Sequence, residues 1–145
     1  MPGDRGGDRV TYALAAPLQQ AVFGRLAGDP AIAALVGAAI FDAAPSGPVP
    51  PLYVALGPEE VRDRSDKTGR AAIHRFSISV ISEAGGFHAA KALAGAVEAA
   101  LVAAPLTLSR GRVVALDFER AEARREPNGR RRRVDMRFRA MVDDT

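Results

Sequence analysis

The sequence predicts an α+β fold: an antiparallel sheet of four to five strands with helices packed on one face, in the order ααββαββ. Three observations carry that prediction. Apolar residues recur at helical spacing over 14–26 and 87–102. They alternate at strand spacing over 74–81, 114–119 and 134–142. The last two alternating runs flank Pro127-Asn128-Gly129, which reads as the turn of a long hairpin.

Taken in order, the elements justify themselves as follows. Residues 1–11, MPGDRGGDRVT, read as a flexible arm, and 12–145 as a single domain. The first helix spans Leu14–Leu26; Leu18, Val22 and Leu26 share a face, Pro17 falls in the first turn, and Gly28 closes the segment. Asp29-Pro30 starts a second helix, with Asp29 as N-cap, a stripe of Ile32, Leu35 and Val36, and Gly37 as the stop. Ile40-Phe41 is a brief strand. The proline-rich stretch 44–51 forbids regular structure, and Leu52–Leu56 is the next strand, broken at Gly57-Pro58. In the strand His74–Ile81, His74, Phe76, Ile78 and Val80 face the core, and Arg75, Ser77, Ser79 and Ile81 face away. Phe87–Val102 is an alanine-rich helix able to lie close to a sheet, ended by Pro105. In the final hairpin a two-residue turn at Asn128-Gly129 would set Glu119 opposite Phe138. A three-residue loop with Gly129 in the left-handed region sets Phe118 opposite Phe138 and Leu116 opposite Ala140. Burial favours the second register, with a bulge.

Composition narrows function. Hydrophobic residues make up 48% and charged residues 26% of 145, which suits a globular domain with a core of its own. No cysteine is present, which excludes disulfides, thiolate zinc sites and cysteine nucleophiles. The two histidines, His74 and His88, are too few for a convincing metal centre; His74 reads as a structural residue and His88 as a surface one. No run of eighteen apolar residues suggests a membrane span, and the start lacks the apolar stretch of a secretory signal. No GxSxG, Walker-type, HExxH or GxGxxG pattern occurs, and Asp66-Lys67-Thr68-Gly69 lacks the glycines of a phosphate cradle. The sequence therefore predicts no enzyme, no cofactor and no metal.

Two charged features remain. Residues 57–70 hold four acids and four bases, among them Glu59, Glu60, Arg62, Asp63, Arg64, Asp66 and Lys67. A balanced loop has no long-range field, but it is suited to pairing with a complementary protein surface. The other feature is Arg130, Arg131, Arg132 and Arg133. Between 109 and 139, eleven arginines face five acids. That excess invites a nucleic-acid reading through phosphate contacts. Only 6% of residues are aromatic, and none interleaves the run to stack on bases, which favours a solvated or subunit-facing hairpin tip.

Several stretches together resemble the tail terminator (tail completion) proteins of long-tailed phages and gene transfer agents. They are Tyr12-Ala13-Leu14 with Pro17-Leu18; Asp29-Pro30, 34–37 and Ile40-Phe41-Asp42; 51–57 with Val61-Arg62-Asp63 and 65–69; and 74–81 with the Ala-Lys-Ala-Leu segment at 90–93. The alanine and arginine usage and the wording of 51–69 are most similar to the alphaproteobacterial gene transfer agent version. The arm before Tyr12 departs from the family's usual short start. The resemblance implies an α/β fold with an antiparallel sheet and a structural protein without enzymatic activity. It also implies a hexameric ring that caps the head-proximal end of a tail tube and meets a tail tube protein and a head-side connector. Such a protein would be cytoplasmic during assembly and then part of a tail, with DNA only in transit through the lumen. On that reading, residues 57–70 belong to a protein interface and Arg130–Arg133 line the lumen. The alternative is a small nucleic-acid-binding module acting through the same arginines.

Overall fold

A computed structural model describes residues 12–43, 45–127 and 130–144. Helix α1 spans Ala15–Ala27, α2 Pro30–Val36 and α3 His88–Val102. The strands are β1 (Ile40–Phe41), β2 (Leu52–Asp63), β3 (Ala71–Ser82), β4 (Arg112–Arg125) and β5 (Arg132–Asp143). They form one sheet in the order β1-β2-β3-β5-β4. Every pairing is antiparallel except β1 with β2, which is parallel through Ile40↔Val54 and Phe41↔Ala55. The predicted flexible arm falls on residues outside the described ones.

The helices form for the reasons legible in sequence. Leu18, Val22 and Leu26 of α1 are buried, as are Ala90, Leu93, Ala94, Val97, Ala100 and Leu101 of α3. The small alanine side chains let α3 approach the sheet closely. Asp29 caps α2: its Oδ2 accepts from the Ile32 amide at 3.0 Å, and Pro30 occupies the first turn, where no amide is needed. Gly37 ends that helix at φ 59°, a conformation that L side chains rarely adopt. Only Ile32 of the expected α2 stripe is fully buried; Leu35 is exposed. Arg25 of α1 reaches the end of α3 and donates to the carbonyls of Ala100, Ala104 and Pro105 at 2.9–3.0 Å. A cation at a helix C-terminus satisfies orphan carbonyls and complements the dipole.

The core lies between the helices and one sheet face. Val54, Ala72, His74, Phe76, Ile78 and Val80 supply it from β2 and β3, and Val134, Met136, Phe138, Ala140 and Val142 from β5. His74 is wholly buried among these side chains, away from any surface at which it would meet a substrate.

Two strand expectations need correction. Gly57-Pro58 does not end β2. The strand runs on to Asp63, and the pairing shifts by one residue between Leu56 and Glu59. The parallel partner β1 covers only Val54 and Ala55, so Pro58 sits in a bulge where no second strand requires its missing N–H. The loop is therefore 64–70, not 57–70.

In the hairpin, Phe118 does pair with Phe138 and Leu116 with Ala140. Next to the turn, however, Arg125 pairs with Arg132, one residue out of step with the expected three-residue loop. The extra residue lies inside β4, in a bulge between Phe118 and Arg120. Asn128 and Gly129 fall outside the described residues. A second bulge, between Val113 and Ala115, leaves Val114 47% exposed, so it does not join the core face.

Two substitutions check these backbone requirements. Asp29→Ala removes the α2 cap and should cost about 1 kcal/mol in urea unfolding. Gly111 has φ 70°, and a Cβ there would lie 2.8 Å from the Asp143 carbonyl oxygen and 2.9 Å from the buried Leu14 methyls. Gly111→Ala should therefore exceed the roughly 1–2 kcal/mol cost of a left-handed residue alone.

Candidate functional site

The two charged features of the sequence lie at opposite ends of the sheet. The 64–70 loop joins β2 to β3 beside the pair Asp63↔Ala72. The arginine run follows the β4–β5 turn, and Arg132 pairs with Ser82 at the other end of β3. At a rise of about 3.3 Å per residue, the ten residues from Ala72 to Ser82 separate these ends by roughly 33 Å.

At the first end the predicted residues divide into three groups. Glu59 and Asp63 lie on the helix-side face of β2, opposite Phe76 and Ala72; Glu60 and Arg62 lie on the other face, opposite Arg75 and Ile73. Arg64, Asp66 and Lys67 belong to the loop. Glu59 accepts from the Tyr12 hydroxyl at 2.8 Å, which ties the strand to the segment before α1 and holds the phenol pKa above its usual value. Asp63 accepts from the Ser65 amide and hydroxyl at 3.0 and 2.7 Å. Asp66 accepts from the Thr68 amide and hydroxyl and from the Gly69 amide at 2.9–3.1 Å. Both carboxyls are thereby held below the usual carboxylate range, Asp63 chiefly by the Ser65 hydroxyl and Asp66 chiefly by the Thr68 amide. These local turns give the loop a defined shape while leaving its charges in solvent.

Between the two ends, the sheet face away from the helices carries a lattice of ion pairs. Arg137 meets Glu60 at 3.3 Å and Glu119 at 3.6 Å; Glu119 also meets Arg75 at 3.2 Å. Arg139 stands 4.0 Å from Asp117. Alternation over 134–142 sets Arg137 and Arg139 on this face beside Arg75, but alternation alone does not assign their acidic partners. The signal was available, because the register that sets Phe118 opposite Phe138 also sets Asp117 opposite Arg139.

At the second end, the four arginines are not equivalent. Arg133 donates to Asp135 Oδ1 from Nη2 at 3.0 Å, to Glu126 from Nη1 at 2.8 Å and to the Ser79 hydroxyl at 3.1 Å. Arg132 donates to the carbonyls of Gly85 and Arg130 at 2.9 and 3.2 Å, and its guanidinium lies 5.5 Å from the Phe87 ring centroid. Arg131 is 3.8 Å from Glu83. Arg130 is exposed. Much of the run is thus engaged within the fold, which reduces the charge presented to a polyanion.

Sequence reasoning also missed two surface grooves. One, of about 250 Å³, lies between α3 and β4 and is lined by Ala94, Gly95, Phe118, Ala121 and Met136. Phe118 is 38% exposed there, because β4 is an edge strand that α3 only partly covers. The other, of about 610 Å³, lies between α1 and the short edge strand β1. Among the described residues no group of three or more His, Asp or Glu side chains is placed to hold a metal. No described helix is long and apolar enough to cross a membrane.

Asp135 offers a test of the polar network. Burial raises its pKa, but hydrogen bonds from Arg133 and Ser79 and the charges of Arg133 and Arg124 outweigh burial, so the carboxyl titrates below its ordinary value of 3.8. A depressed carboxyl pKa stabilises the fold above the unfolded-state value, and that contribution is lost as pH falls through the folded one. Asp135→Asn should cost about 1 kcal/mol at pH 7, the carboxyl's partial exposure limiting the effect. It should also flatten the loss of stability below pH 3.8, measured by urea unfolding across pH.

Comparison with known proteins agrees with this architecture. The family model described as tail completion protein gp17 matches residues 20–143. Comparison with curated proteins gives no match. Among solved structures, the chain is similar to a chain of the virion of a native gene transfer agent particle. The two are 56% identical with a TM-score of 0.85, over 91% of this chain and 98% of that one. With the family model spanning most of its length and the same α+β sheet at its centre, the chain belongs to the tail completion protein family.

Proposed function

We propose that this protein is a structural tail terminator of a phage-like particle of the gene transfer agent type. It forms a homohexameric ring that caps the head-proximal end of the tail tube, stops tube growth and joins the tail to the head-side connector. The observation that carries this reading is the 56% identity, over nearly the full length of both chains, to a chain of a gene transfer agent virion. The protein acts by shape and contact and performs no catalysis. It assembles in the cytoplasm and ends as part of the tail.

The arrangement of the sheet supports the reading in physical terms. A ring that joins a tube to a connector needs two distinct contact surfaces facing opposite ways. The β2–β3 end, where residues 57–70 hold four acids and four bases, and the arginine-rich β4–β5 tip supply two such ends. Glu59, Glu60, Arg62, Asp63, Arg64, Asp66 and Lys67 form the protein-contacting end, between subunits or toward the tube. Arg130, Arg131, Arg132 and Arg133 lie toward the lumen, where DNA passes without being held. The nucleic-acid module reading is the weaker one, because Arg133 is engaged by Asp135 and Glu126 and Arg132 by backbone carbonyls.

Native mass spectrometry over a range of concentrations should show a discrete hexamer. The double charge reversal Arg62→Glu with Asp63→Lys should keep the circular dichroism spectrum while abolishing assembly into particles. Normal particles from that variant would remove the interface assignment. Tight duplex binding by a monomer, with a steep salt dependence, would replace the terminator reading with the nucleic-acid one.

A further inference from the structure

The sheet has two open edges. Strand β4 pairs only with β5, so its outer side is unpaired along the strand. On the other side, β1 covers β2 only at Val54 and Ala55. Among the described residues, no strand lies outside Glu59–Asp63. Open edges of this kind are templates for pairing with another chain.

We propose that these two edges meet between copies: the 121–125 edge of β4 in one subunit pairs antiparallel with the 59–63 edge of β2 in the next. The proposal rests on the ring reading and specifies its subunit contact. Strand direction is the first support. Through β2-β3-β5-β4 the strands alternate in sense, so β2 and β4 of one subunit run in opposite directions. Subunits of a cyclic ring share one axial sense, so β4 meets its neighbour's β2 antiparallel and the alternation continues. Two different edges meet, which makes the contact heterologous, the kind that generates rings when the rotation closes.

Charge selects the register. With Val61 opposite Ala123, Arg62 stands opposite Glu122, Glu60 opposite Arg124 and Glu59 opposite Arg125. Faces agree as well. Glu60 and Arg62 share the face away from the helices with Glu122 and Arg124, whose partners on β5 are Asp135 and Arg133; Val61 and Ala123 pair with His74 and Val134 on the core side. A slip of two residues in one direction sets Glu60 opposite Glu122 and Arg62 opposite Arg120. A slip of two in the other sets Glu60 opposite Glu126 and Arg62 opposite Arg124. Like charges directly opposite are destabilising, and a slip of one exchanges the faces. Glu122 makes no ion pair among the described residues, so Arg62 of the next copy would give it one.

Absence of cysteine makes the test clean. The full-length double variant Val61→Cys with Ala123→Cys is oxidised mildly at the concentration used for native mass spectrometry. Within one subunit, β3 and β5 separate the two positions by three strand spacings, roughly 14 Å, beyond disulfide reach. A disulfide therefore reports a contact between copies. The expected result is a reductant-sensitive ladder of covalent oligomers, absent from either single variant and from Val61→Cys with Ala121→Cys. A second measurement avoids cysteine altogether. Glu122→Lys should weaken oligomerisation at least tenfold, and adding Arg62→Glu should restore it. A hexamer by native mass spectrometry with neither ladder nor rescue overturns this inference and leaves the ring reading intact. A monomer throughout, with neither ladder nor rescue, overturns both.

Discussion

Phe138 sits at the centre of β5, fully buried, with the Phe76 ring stacked at 5.6 Å on one side and the Phe118 ring edge-on at 5.7 Å on the other. This row of three rings spans the strands β3, β5 and β4 and fixes their mutual register. Side chains alternate with a period of two, so a one-residue slip on either side of β5 would turn an aromatic ring into solvent and a charge into the core. The ion-pair lattice on the opposite face depends on the same register. Arg137 and Arg139 flank Phe138, and Asp117 and Glu119 flank Phe118, so seating the rings brings the charges together. Apolar burial supplies the driving force here, and the exposed pairs add specificity more than stability.

The bulges are how the chain reconciles that register with its local sequence. Next to the turn, β4 and β5 pair one residue out of step with Phe118↔Phe138, and the extra residue is absorbed between Phe118 and Arg120. A similar insertion at Gly57-Pro58 lets β2 continue past a dipeptide that would stop a central strand. Its consequence is one of position. The charged residues after Pro58 become a strand edge with a defined facing, not a mobile loop. Glu60 and Arg62 then join the sheet face that carries the ion pairs.

The surfaces this fold leaves unpartnered are its edges and ends. Among the described residues the buried polar side chains are His74, Ser79 and Ser82, and His74 lies within the core. What the fold leaves available is a long open strand at one side of the sheet, a shorter open stretch at 59–63 on the other, and two hairpin ends about 33 Å apart. On the proposed function, such an object meets neighbours laterally through its strands and axially through its turns.

The α+β class, the buried faces of α1 and α3, the Asp29 cap, the Gly37 stop and the pairing of Phe118 with Phe138 were all legible in the sequence. Each rests on short-range periodicity or on a single residue's backbone preference, and those act within one or two turns of chain. The family resemblance was legible from short motifs as well. Four features were not: the parallel placement of β1, the continuation of β2 through Pro58, the location of the bulge at 119 and the acidic partners of Arg75, Arg133 and Arg137. A proline's effect depends on whether a second strand needs its N–H, and an arginine's on which carboxylate another strand sets beside it. Those conditions are set by neighbours distant in sequence, so only the assembled sheet decided them.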